Sequence, residues 1–254
     1  MRQSKDLQSG TASTLGAAPE TSVEEAEFRN NPVKFVELAK DWAQGGEAPT
    51  TEHEAWLTAI PKRRIRQPDA AREALWGILS APERGRALAW LDRIGLLEEL
   101  IPIWYGEAVP RDLHLRAVEE VHVEHWAKGL SKRALQKLNS YMDRRVDSRL
   151  NGWALAALAT LIIESNGYTQ RYNERLNEEL RELGATDSER MRLMTAVIEY
   201  PFLRVAFAKN GEYSESSFSP TTVVAALSTL FADKTVPDER RNHAVGLADK
   251  MLTR

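Results

Sequence analysis

The chain has 254 residues, with 34 Lys and Arg against 37 Asp and Glu, a formal net charge of −3 and no cysteine. That length supports a sizeable core in one large or two small domains, the near-balanced charge requires any nucleic-acid surface to be local, and the missing cysteines exclude disulfides and thiolate metal sites. No apolar run reaches the ~20 residues of a membrane span and the N-terminus lacks a signal-peptide core, so the expectation is a cytoplasmic protein with no membrane partner.

Residues 1–22, rich in Ser, Thr, Gly and Ala, read as a flexible tail. Thr21 or Ser22 then opens an acidic stretch through Glu27. Pro32 suits a helix first turn, and Phe35, Val36, Leu38, Ala39 and Trp42 form a buried stripe that Gly45 and Gly46 end. Asp69 caps a helix carrying Ala70, Ala74, Leu75, Ile78 and Leu79 on one face. Pro82 and Glu83 open the next, with Leu88, Leu91 and Ile94 inward, and Gly95 ends it. The apolar run Leu96, Leu97, Leu100, Ile101 leads to Pro102.

Beyond Pro110 the periodicity predicts helices over 111–127, with Leu113, Ala117, Val118, Val121 and Trp126 periodic, and over 132–146, basic on its outer face. Residues 150–164 are almost wholly apolar and read as the central buried helix. Tyr168 to Leu183 is amphipathic and ends at Gly184; Thr186 or Asp187 caps a helix to Glu199, which Pro201 breaks. Residues 211–219 read as a polar loop, and Thr221 to Phe231 and Asp238 to Leu252 supply two last helices. No strand is predicted: the fold class is all-α, a multi-helix array.

The order Arg72-Glu73-Ala74-Leu75, Gly95-Leu96-Leu97 and Leu100-Ile101-Pro102 resembles the neck of bacterial tRNA nucleotidyltransferases and poly(A) polymerases. There an E-R-x-x-x-E-L helix runs through "GLL" to "LLPE". Phe28, Pro32 and Lys34 match the family's "F-x-x-D-P-x-R-x-x-R-A" helix, while Asn31, Lys34 and Glu37 replace its Asp and two Arg. Further on, His114-Leu115 with Glu119, and Asp187-Ser188-Glu189-Arg190 through Glu199, resemble the helical phosphohydrolase domain named for its His-Asp pair. Its metal-binding His falls at about Glu120, and Ala157 to Glu164 carries no His-Asp. The resemblance implies a tail (1–22), a neck-like helical domain (23–107) and a degenerate phosphohydrolase-like domain (108–254). It also implies that the catalytic head is absent. Neither an Asp-x-Asp nor a Walker-type phosphate loop occurs.

The remaining chemistry lies in histidines, tryptophans and basic clusters. His122 and His125, three apart with Glu119 and Glu124 nearby, are weak metal candidates without a distant third ligand. No G-x-S-x-G occurs. The seven tryptophans sit mostly on apolar stripes and are assigned to core packing. One basic group comprises Lys62, Arg63, Arg64 and Arg66; the other comprises Lys128, Lys132, Arg133 and Lys137, extended by Arg144 and Arg145. Such runs neutralise phosphates, and in the resembled family this part of the protein holds the tRNA backbone. The expectation is a non-catalytic RNA-binding protein with no cofactor. The alternative is a helical protein-interaction or regulatory module, including one that partners a separately encoded nucleotidyltransferase head.

Overall fold

Helix starts are set by short side chains that accept from the first turn. Ser22, Ser131, Asn151 and Ser219 accept from Glu25, Ala134, Ala154 and Thr222. A computed structural model describes residues 22–58, 60, 69–101, 111–121, 125–145, 149–163, 170–208 and 218–254. Among these residues there are thirteen α-helices and no strand, so the fold is all-α. Residues 1–21 of the expected tail and the 211–217 part of the polar loop lie outside the described residues, as does the expected boundary at 107/108, while Ser22 belongs to the cap of α1.

The first half contains α1 (Val23–Asn30), α2 (Val33–Ala43), α3 (Thr51–Thr58), α4 (Asp69–Ser80), α5 (Arg84–Arg93) and α6 (Leu97–Leu100). Helix α2 buries Phe35, Val36 and Ala39 against α4 and α5. On α4 the buried face includes Ala71 and Trp76, while Ala70 is exposed. Asp69 is the first residue of α4, and its carboxylate accepts from Arg72 one turn on. Gly95 ends α5 at φ 70°, where Leu96 N–H reaches the Leu91 carbonyl at 2.8 Å and Gly95 N–H that of Asp92 at 2.9 Å. That double closure needs a left-handed residue, and glycine adopts it without a Cβ penalty. Helix α3 went unrecognised in the sequence. His53 Nδ1 accepts from the Thr50 N–H at 3.0 Å, and Phe28, His53 and Trp56 form an aromatic cluster that ties α3 to α1.

The second half contains α7 (Arg111–Glu120), a 3-10 turn (Ala127–Gly129), α8 (Lys132–Met142), α9 (Gly152–Ile162), α10 (Gln170–Glu182), α11 (Asp187–Ala208), α12 (Pro220–Ala232) and α13 (Asp238–Thr253). Helices α9 and α12 are the centre: α12 packs on α7, α9 and α11, and α9 packs on α4, α7 and α11. One cluster of buried apolar side chains runs from Phe28 to Leu252.

Three expected boundaries shift. Helix α7 ends at Glu120 rather than continuing to 127, and the buried Trp126 satisfies the Glu120 carbonyl by donating its indole N–H at 2.9 Å. Helix α8 stops at Met142 rather than 146, where the start of α9 crosses it: a Cβ on Gly152 would stand 2.7 Å from the Met142 Cα. Helix α11 runs through Pro201 to Ala208. Pro201 is exposed, and burial of Tyr200, Leu203, Ala206 and Phe207 on either side holds the helix together across the missing N–H.

Candidate nucleic-acid interface

Helix α8 is built to show its basic residues. Ser131 caps it, accepting from Ala134 N–H at 3.2 Å, and Ala134, Leu138 and Met142 bury one face. Lys132, Arg133 and Lys137 are left on the exposed face, preceded by Lys128 on the 3-10 turn and followed by Arg144 and Arg145. Lys137 Nζ donates to the Thr253 carbonyl at 3.1 Å, fixing this face beside the end of α13.

None of these six cations forms an ion pair among the described residues. Elsewhere the surface is different. Arg72, Arg190 and Arg241 pair with the Asp three residues before them at 2.6, 2.6 and 3.0 Å. A cation already engaged by a carboxylate is a poorer partner for phosphate, and the α8 set combines freedom from ion pairs with closeness in sequence, whereas other exposed cations without ion pairs among the described residues, such as Arg116, Arg181 and Lys234, are scattered along the chain. Lys137, Ser140, Tyr141 and Arg144 border a shallow groove of about 320 Å³. Arg192, at the start of α11, stacks its guanidinium 5.3 Å from the Tyr141 ring centre. It is half-buried, so it supports the Tyr141 ring from a different helix and is not counted with the exposed set.

The other basic group, Lys62, Arg63, Arg64 and Arg66, lies outside the described residues, and so does His122. His125 is exposed, with Nδ1 2.8 Å from Glu120 Oε2. No group of three His, Asp or Glu comes together to hold a metal among the described residues. Glu119 lays its stem across Gly85 of α5, and burial pushes its carboxyl above the ordinary range. Trp76, Trp90 and Trp126 are buried, and Trp42, Trp56 and Trp153 half-buried.

Residues at the positions of the resembled motifs serve the fold. Asn31 ends α1, and Lys34 pairs with Glu27. His114 is buried, and its Nδ1 hydrogen-bonds the Thr160 carbonyl at 2.8 Å, joining α7 to α9. Glu189 is only 1% exposed. It accepts from Arg149 and Leu150 N–H at 2.7 and 2.9 Å through Oε1 and from Thr186 N–H at 2.8 Å through Oε2. Compared with known proteins, the chain matches no family model and no curated protein.

Proposed function

We propose that this chain is a non-catalytic helical protein that binds structured RNA through its phosphate backbone, using the outer face of α8. The observation that carries the reading is the set of six exposed cations at Lys128, Lys132, Arg133, Lys137, Arg144 and Arg145 with no ion pair among the described residues, two of which, Lys137 and Arg144, border a groove with Tyr141. Cations clustered on a helix and its two flanks neutralise successive phosphates without reading base sequence, which suits a shape-selected partner such as tRNA. The resemblance of the Arg72 to Pro102 order to a tRNA nucleotidyltransferase neck supports the same partner class.

Fluorescence anisotropy with bulk tRNA tests the proposal, comparing the native chain with a variant carrying Lys132→Gln, Arg133→Gln, Lys137→Gln and Arg144→Gln. The expected result is binding at about micromolar strength that weakens steeply with salt and is lost in the variant. No binding at low salt overturns it.

A second reading, a protein-interaction module, has its own observation. Met191, Ile198, Phe202 and Val205 are exposed by 69, 40, 61 and 47%, and their spacing places them along one side of α11. Failure to bind RNA would move the reading to this stripe.

A further inference from the structure

Arg84 opens α5, where a charged side chain ordinarily reaches solvent, yet it is only 4% exposed. Its Nε–H donates to the Ala81 carbonyl at 2.9 Å. Its Nη1 is buried and meets no acceptor, and no carboxylate pairs with the guanidinium among the described residues. Burial alone pushes this guanidinium down to about 10, so it keeps its charge at neutral pH. A buried cation without a counter-charge is strongly unfavourable. The Nε bond to Ala81 braces the turn between α4 and α5, but a neutral donor would do that equally well.

The side chain does not face a sealed core. With Ser80, Asn139, Asp143, Asn151 and Trp153 it lines a cleft of about 400 Å³ between α5, α8 and the start of α9. Asn151 caps α9, with Oδ1 taking the Ala154 N–H at 2.9 Å. Trp153, which lines the cleft, has its N–H in the first turn of α9, where no intrahelical acceptor exists and the helix dipole favours an anion. A buried cation and a helix start thus meet at one cleft. The half-buried Trp153 adds an apolar wall, with its indole N–H held by Asp143 Oδ1 at 3.0 Å. Asp143 is exposed and places a negative charge at the rim.

We propose that this cleft binds the phosphate group of a phosphate monoester, with Arg84 as its buried counter-charge and the amides of Asn139 and of the α9 first turn as further donors. A phosphate offers three acceptor oxygens to these three groups, one more than a carboxylate has. The site lies beside the α8 basic face but does not depend on RNA binding there. Its ligand is either a small free ester or the terminal phosphate of an RNA.

Thermal unfolding of the full chain in inorganic phosphate, against chloride at matched ionic strength, tests the site. Phosphate at ten times its dissociation constant raises the native melting temperature by about 3–5 °C. Arg84→Met, which removes the unpaired charge and keeps the stem, raises the baseline melting temperature and abolishes the phosphate-dependent shift. Asn139→Leu, at an exposed position, reduces the shift and secures the test if Arg84→Met folds poorly. Asp143→Asn enlarges it by removing the rim charge. An equal phosphate shift in the native, Arg84→Met and Asn139→Leu proteins, or no shift in the native protein, overturns the proposal. Oligoribonucleotides with and without a 5′-phosphate separate the sources. Tighter binding of the phosphorylated form, lost in Arg84→Met, assigns the site to an RNA end. Equal binding of both, alongside a retained inorganic phosphate shift, assigns it to a free ester.

Discussion

At the scale of single residues, Glu189 carries more of the fold than its place in a charged segment suggests. It closes a reciprocal cap with Thr186, whose Oγ1 accepts from Glu189 N–H at 3.3 Å while Glu189 Oε2 accepts from Thr186 N–H at 2.8 Å. Its other oxygen gathers two backbone N–H groups from residues 149 and 150, forty positions earlier, just ahead of α9. Glu189→Gln keeps the volume but replaces one acceptor with an amide donor facing a backbone donor. The expected cost is about 2–3 kcal/mol, read from urea unfolding midpoints. Half of this arrangement was legible: a Thr followed three residues later by Glu is a cap signature, and the sequence reading left Thr186 and Asp187 open as the cap. The other half was not, because the partners at Arg149 and Leu150 are backbone groups that no side-chain pattern announces. Arg84 makes the same point. A basic residue at the start of α5 looks solvated in the sequence, yet the fold leaves Arg84 only 4% exposed.

At the scale of elements, helices were legible where apolar residues recur, α12 among them, but the depth of burial was not legible where polar atoms share it. Helix α9 is buried at ten of its eleven positions and was recognised as central from its apolar run. Helix α12 is buried continuously from Thr221 to Thr229, but its Ser and Thr residues disguise it. Thr229 answers its own buried hydroxyl by donating to the Ala225 carbonyl at 2.9 Å, as Thr160 does to Ala156 at 2.6 Å. Helix α11 misled in the other direction, since Pro201 reads as a stop. Proline lacks the N–H that would bond the carbonyl four residues back and crowds the preceding turn, so α11 retains a local penalty at an exposed position. Pro201→Ala restores the N–H at the expense of a freer unfolded chain. The net expectation is a gain of about 1–2 kcal/mol, measured as a raised urea midpoint with an unchanged slope. An unchanged or lowered midpoint would show that the helix relaxes fully around the proline.

At the scale of the whole molecule, the sequence pI of about 6.0 and the net charge of −3 leave no uniform attraction for a polyanion, so binding has to come from the way charge is distributed. Ion pairs with nearby acids absorb many of the surface arginines, and in and around α8 six exposed cations within eighteen residues stand without them among the described residues. This asymmetry has a measurable consequence. If all six α8 cations each engage one phosphate of a single-stranded or looped RNA, the logarithm of affinity falls against the logarithm of salt with a slope of about −4. Arg144→Gln with Arg145→Gln removes two contacts, and the slope becomes shallower by about 1.4 while sequence preference stays unchanged. A repulsive net charge does not mimic this, because it weakens binding at low salt and so flattens the dependence for every variant alike. A slope insensitive to Arg144 and Arg145 would therefore place the phosphate contacts on a surface other than α8, whatever the absolute affinity.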